Sequence, residues 1–510
     1  MKCRCIFCLL LLFINSSINA AVKLPAVIAD HMVLQQKATV ALWGWADAGE
    51  RITIQCSWNR HPVKVTAGAD GRWLVHVKTI AAGGPYTIRF NGTNRIEVQD
   101  VLLGEVWLCS GQSNMEFPLA KQKAWRTGVA GYEQEVAAAA DPNLRLFTVQ
   151  QAVAATPQQD VQGNWAPCTP ETAASFSAVA YYFGKEIREV TGVPVGLIHS
   201  SWGGTPAESW TRKEVLNADS ELRLILNRYD AAVRAYPEDR ARYKADLDQW
   251  LKDSLAHPEG LRKKPVPPVD PGQNSKSPTK LYNAMIHPLV PFTLKGVIWY
   301  QGESNAGRAY QYRKLFLAMI RSWRQEWKAE FPFYFVQIAP HYQQNPEIRE
   351  AQLLTYKNVP ATGMAVITDA GDSLNIHPRN KAVVGHRLAL WALAKSYGKT
   401  DRIYAGPVYQ SAKQEGSSMR IRFAFAEGGL VAKEGTLTGF TIAGANRQFV
   451  PATALIEGST ILVKSDAVAK PVAVRFGWST FPHAVLFNRA GLPASPFRTD
   501  DWPGETINNH

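Results

Sequence analysis

Gly104-Glu-Val-Trp-Leu-Cys-Ser-Gly-Gln-Ser-Asn-Met-Glu-Phe-Pro118 passes from an apolar run into a polar, glycine-bearing one. The residues from Val101 to Leu108 are mostly apolar and suit a strand, whereas Ser110, Gly111, Gln112, Ser113 and Asn114 are small and polar, as a tight turn requires. A strand that runs into such a turn places the Ser113 hydroxyl at the carboxyl edge of a sheet, where open α/β sheets gather their chemistry. Ser113 is therefore a candidate nucleophile. The same residue types also cap helices and bond the backbone of ordinary turns, so the assignment depends on the rest of the chain.

Working outward, apolar runs over 101–110, 195–200, 294–300, 333–338 and 363–368 alternate with helical patterns over 175–191, 309–327, 348–358 and 380–397. This alternation predicts an α/β fold with a parallel sheet between helices, and strands apolar throughout fit a sheet covered on both faces. The α/β region spans 101–400 and contains a polar, helix-prone insertion over 211–278 that ends in a Pro, Gly and Ser-rich linker, read as a surface appendage. Ahead of it, 21–100 reads as short strands and turns, a small β-sandwich-like domain whose Trp residues are core rather than a sugar platform. After it, 401–510 returns to strand-and-turn rhythm as a C-terminal β-rich region.

Composition narrows the class. The chain has 510 residues, 46% hydrophobic and 19% charged, which fits a folded protein of several domains and excludes a disordered one. Its net charge of +13 is scattered, and no nucleic-acid motif accompanies it. Lys2 and Arg4 precede an apolar run over 6–14, then Asn15-Ser16-Ser17 and Ala20-Ala21, the layout of a secretory signal peptide over 1–20. That run is well short of the roughly 20 residues that span a bilayer, and no other span is present, so a periplasmic or extracellular protein without stable membrane insertion is expected. Removal of the leader takes Cys3, Cys5 and Cys8 with it. The remaining Cys56, Cys109 and Cys168 allow at most one disulfide, and neither Cys-x-x-Cys nor a His cluster suggests a metal site.

Three further Gly-bearing polar stretches follow predicted strands of the α/β region: His199 to Trp210, Tyr300 to Ala306 and Thr368 to Lys381. With the opening stretch they form four loops at four strand ends, all converging on one crevice. Their contents suit acyl transfer, which needs a nucleophile, a base within reach, a group orienting that base, and donors where the oxyanion develops. Ser113 supplies the hydroxyl and its own N–H, Gly203 or Gly204 an unobstructed backbone N–H, Asn305 a side-chain amide, and His377 the base.

Together, Gly111-Gln-Ser-Asn-Met115, Trp202-Gly-Gly-Thr-Pro-Ala-Glu-Ser-Trp210, Trp299-Tyr-Gln-Gly-Glu-Ser-Asn-Ala306 and Ile376-His-Pro-Arg-Asn-Lys381 resemble the sialate O-acetylesterases, carbohydrate esterases of the SGNH hydrolase superfamily. Asp30-His-Met-Val-Leu-Gln35, Trp43-Gly-Trp45 and Gly491 to Asp500 extend the resemblance over nearly the whole mature chain. The resemblance implies a three-layer α/β/α hydrolase domain that removes acetyl groups from sugar hydroxyls without a metal or other cofactor. Position by position, it implies Ser113 as nucleophile, a glycine of Gly203-Gly204 and Asn305 as oxyanion donors, and His377 as base.

The carboxylate fits less well. Where the wider superfamily carries Asp three residues before the histidine, this chain has Leu374, and two residues before it stands Asn375. Asp372 is the favoured orienter of His377, with Asp369 or a main-chain carbonyl as alternatives; Glu303 reads as a structural hydrogen-bonding residue. The expected partner is thus an O-acetylated sugar or polysaccharide, a sialic acid or a plant polysaccharide such as xylan. A non-catalytic carbohydrate-binding protein is the reading from another class, and the joint presence of Ser, Gly, Asn and His in the loops argues against it.

Overall fold

The structure, a computed structural model, describes residues 21–256, 263–433 and 435–510. The leader read in 1–20 lies outside them. Seven strands build the central sheet: β1 (Arg95–Gly111), β2 (Asp141–Thr148), β3 (Trp165–Cys168), β4 (Val195–Ser201), β5 (Gly296–Tyr300), β6 (Phe333–Gln337) and β7 (Thr362–Val366). Their order is β7-β6-β5-β1-β4-β2-β3. Every pair is parallel except β2 with β3, so the expected parallel sheet is in fact mixed. Neither β2 nor β3 was legible as a strand: one opens on Asp141-Pro-Asn143 and the other is four residues long and contains Pro167.

The 17-residue β1 is the spine of the molecule. Its first half pairs antiparallel with Gly83–Asn91 of the N-terminal β region, and its second half lies between β4 and β5. One strand therefore runs through the position near residue 100 where composition changes. Trp107 in its second half is fully buried, stacks on Tyr334 at 5.9 Å, meets Phe183 edge-on at 5.0 Å, and donates its indole N–H to Tyr397 Oη at 3.0 Å. Truncating such a ring to alanine costs about 3–5 kcal/mol.

Six helices matter for the site: α1 (Ser113–Glu116), α2 (Ala178–Thr191), α3 (Ser220–Ala256), α4 (Ala309–Trp327), α5 (Glu347–Asn358) and α6 (Lys381–Ser396). The Ser177 hydroxyl caps α2 by accepting the Ala180 N–H, and Gly192 ends it in the left-handed region. The long α3 belongs to the insertion. Its first turns bury Leu222 and Ile225 and bond to α4 through Gln311 and Lys314, whereas farther along Leu251 and Leu255 are exposed.

The C-terminal region forms two four-stranded antiparallel sheets. It returns to the α/β region through Arg498, which donates to Glu350 at 2.6 Å, and through Glu347, which accepts the Glu505 N–H at 2.5 Å. Cys56, Cys109 and Cys168 are buried free thiols. Among the described residues no helix is long and apolar enough to cross a membrane.

Candidate active site

The central position of β1 brings the opening stretch between two loop-bearing neighbours. Gly111 is in register with Ser201 on one side and Tyr300 on the other. Only glycine fits there: its φ is 144°, and a Cβ would lie 2.2 Å from the Tyr300 carbonyl oxygen. The chain then turns into α1, with Gln112 donating its N–H to the Tyr300 carbonyl at 2.9 Å and accepting the Ser304 N–H on its side chain at 3.2 Å. Ser113 is thereby presented on the wall of a cleft of about 620 Å³, opposite His377.

The His377 Nε2 lies 2.8 Å from the Ser113 Oγ, within hydrogen-bonding reach. Residues 264 positions apart thus meet as a hydroxyl and a base. The half-buried imidazole stacks under Trp125, with centroids 4.5 Å apart and planes at 28°. Burial above all, and then the charges of Lys381 and His341, lower the His377 pKa to about 4. At neutral pH the ring is therefore uncharged and able to accept a proton.

Neither expected carboxylate partners the ring. Asp372 is exposed, and its Oδ1 accepts the N–H groups of Leu374 and Asn375 at 2.9 and 3.0 Å, which shapes the loop that carries His377. Asp369 forms a two-point ion pair with Arg387 of α6, at 2.5 and 2.7 Å. The physical reason is proximity: turn amides and a guanidinium satisfy each carboxylate locally. Asn375 accepts the His377 N–H at 2.9 Å, fixing the backbone of His377 instead.

The oxyanion candidates also divide. Asn305 is 2% exposed and does not line the cleft; its Oδ1 accepts from Ala207 N–H at 2.9 Å and Gln301 Nε2 at 2.7 Å, and its Nδ2 donates to Glu208 at 2.8 Å. It ties the loops after β4 and β5 together behind the cleft wall. Gly203 faces Ser113 so closely that a Cβ on it would lie 3.2 Å from the Ser113 Cβ, but its N–H donates to Glu116 Oε2 at 2.5 Å. The Ser113 and Gly204 N–H groups have no partner among the described residues.

Beneath Ser113 lies a buried polar group in which Glu303 has the structural hydrogen-bonding place expected of it, whereas Lys381 had no assigned role. Asn114 donates to Glu303 Oε1 at 2.6 Å and to the Ile376 carbonyl at 3.0 Å, while its Oδ1 accepts from the Lys381 ammonium. One side chain therefore joins the Ser113 turn, the loop after β5 and the loop carrying His377. Burial lowers the Lys381 pKa to about 7 against the pull of Glu303, and burial raises that of Glu303. Trp125, Arg126 and Glu116 were missed as well: Arg126 pairs with Glu116 and lies 5.3 Å over the Trp125 ring. Glu116 follows the Ser113 motif directly, but nothing local signals that residues 125 and 126 fold back over it.

An α/β chain with a serine and a histidine paired in a cleft at the carboxyl end of its central strand has the layout of a hydrolase. Residues 103–245 and 271–394 match the family SASA, carbohydrate esterase, sialic acid-specific acetylesterase. Sialate O-acetylesterase of Rattus norvegicus is 29% identical over 543 residues, covering 96% of each chain, and that of Homo sapiens is 28% identical, covering 98% of this chain and 97% of its own. A crystal structure of a carbohydrate acetylesterase from Xanthomonas citri is similar with a TM-score of 0.79 and 39% identity, over 94% of this chain and all of that one. The chain belongs to the sialic acid-specific acetylesterase family of carbohydrate esterases.

Proposed function

We propose that this chain is an exported serine esterase that removes O-acetyl groups from carbohydrates, sialic acids first among them, on a three-layer SGNH-hydrolase scaffold. The observation that carries the reading is the 2.8 Å contact between Ser113 Oγ and His377 Nε2 in the cleft at the switch point of the sheet. His377, neutral at pH 7, takes the Ser113 proton as the hydroxyl attacks the acetyl carbonyl. The backbone amides of Ser113 and of the Gly203-Gly204 turn receive the oxyanion, Gly203 after Glu116 yields its N–H. His377 then returns the proton to the departing sugar oxygen, and water attacks the acetyl-serine to release acetate. With Asp372 and Asp369 engaged elsewhere, the pair works without a side-chain carboxylate behind it.

A second substrate reading, an acetylated polysaccharide such as xylan, is compatible with the broader description of the Xanthomonas citri relative as a carbohydrate acetylesterase. Acetate release from acetylated sialic acids, acetylated xylan and simple acetylated sugars tests both. Selective turnover of acetylated sialic acid supports the first reading and selective turnover of xylan the second. No acetate from any of them, and no p-nitrophenol from p-nitrophenyl acetate, would leave a carbohydrate-binding protein as the better description.

A further inference from the structure

A second cavity, of about 490 Å³, adjoins the Ser113 cleft and shares Gly204, Lys276 and Ser304 with it. Its far wall comes from the insertion: Arg228 and Tyr229 on α3, and Lys276 on the linker that follows. Its floor holds Glu208 and Arg308. The insertion is therefore more than a surface appendage, since it walls a continuation of the cleft.

The charges in this cavity do not balance. Glu208 is buried and already occupied: Asn305 donates to one oxygen at 2.8 Å and Arg308 to the other at 2.7 Å. Arg228 reaches that same second oxygen only at 3.8 Å, beyond hydrogen-bond distance. Burial and the neighbouring Arg308 both disfavour its charge. Lys276 has no carboxylate partner among the described residues. Three cations thus face one carboxylate, whose two oxygens already accept from Asn305 and Arg308, in a groove that adjoins the Ser113 cleft. Two guanidiniums and an ammonium around a concavity suit a planar anion, which an arginine fork grips at two points. The Tyr229 side chain on the same wall adds an aromatic surface of the kind that packs against sugar rings.

We infer that this cavity is a subsite for the carboxylate of an acidic sugar unit, held by Arg228 and Lys276 while the acetyl-bearing position of the same glycan lies at Ser113. The inference rests on the esterase reading and adds the chemistry that the substrate presents beside the ester. The carboxylate has two possible sources: the acetylated ring itself, as in a sialic acid, or a neighbouring uronic acid unit of a polysaccharide.

The test is a ratio of kcat/KM values for two substrate pairs. One pair is an O-acetylated sialic acid against an O-acetylated neutral hexose; the other is an acetylated xylo-oligosaccharide with and without a glucuronic acid branch. Wild-type protein is expected to prefer the acidic member of one pair by roughly tenfold, as a charge-assisted contact provides. The pair that shows it identifies the source. Arg228→Gln and Lys276→Gln should each bring the ratio toward one, and salt should shrink it in wild type. Because each ratio is taken within one protein, a general loss of activity cancels. Ratios near one in both pairs, or a preference unaltered in both variants, would overturn the subsite.

Failure of the esterase reading is separable, because it appears as no turnover of p-nitrophenyl acetate by wild type. In that event calorimetry with the non-acetylated acidic and neutral oligosaccharides decides the subsite alone. Tighter binding of the acidic one that Arg228→Gln weakens supports it, and equal binding overturns it.

Discussion

Replacing Trp125 by alanine should move the acid limb of the pH profile rather than abolish activity. In the wild type the indole covers His377 at 4.5 Å, and burial, assisted by the charges of Lys381 and His341, holds the imidazole at about 4 instead of its ordinary 6.5. That difference corresponds to about 3 kcal/mol of bias against the protonated ring, at 1.36 kcal/mol per pH unit. The sign follows directly. A base whose pKa is lowered stays neutral, and competent, further into acid, so kcat/KM should stay level from pH 7 down to about 5 and fall to half near pH 4. Trp125→Ala admits water to the ring and removes much of the desolvation, so its limb should rise by at least one unit toward 6.5. Initial rates of acetate release across pH 3.5 to 8, with folding followed by circular dichroism at each pH, give both limbs. A wild-type limb near 6.5, or an unshifted limb in a folded Trp125→Ala, would refute the claim that burial tunes the base.

Other expectations follow from the same geometry. Lys381 titrates near 7 in the fold and near 10.5 when unfolded, so between those values the unfolded chain holds more protons and stability gains with rising pH from this group. Lys381→Met should remove that gain, and denaturant melts at pH 7 and 9.5 should show the wild type improving relative to the variant; parallel behaviour would contradict the buried-lysine reading. Asp372→Asn keeps the oxygen that accepts the two turn amides and should leave kcat within a few-fold of wild type. Asp369→Asn, by contrast, breaks the pair with Arg387 and should lower stability by about 3 kcal/mol, seen in urea melts, with kcat per folded molecule retained. A selective kcat loss in Asp372→Asn would restore it as the orienter. Gly203→Ala puts a methyl 3.2 Å from the Ser113 Cβ and should depress kcat more than stability, checked by rates and melting together.

The legible parts of this protein are those written locally. The helix over 309–327 matches Ala309–Trp327, and the apolar run over 195–200 matches the strand Val195–Ser201, because periodicity and flanking turns suffice to define both. Ser113 and His377 were readable because each lies on a polar stretch that follows a strong strand pattern, and the fold then brings them together. The partners of Asp372, Asp369 and Asn305 were not. A carboxylate or amide takes whichever donor folding places nearest, and the donors here are two turn amides, a guanidinium on α6 and the Gln301 side chain. Trp125 lies in a loop with no strand or helix period, so its stacking on His377 is a tertiary fact that no local pattern announces. Lys381 stood in a quoted motif, yet only its burial beneath Asn114 distinguishes it from a surface lysine.

Whether Ser113 is the nucleophile of a carbohydrate acetylesterase is decided by the kcat/KM of Ser113→Ala for acetate release from the acetylated sugar that wild type turns over best. A loss of roughly 10³ or more is expected in a variant that melts like the wild type. Turnover within tenfold of wild type would contradict it.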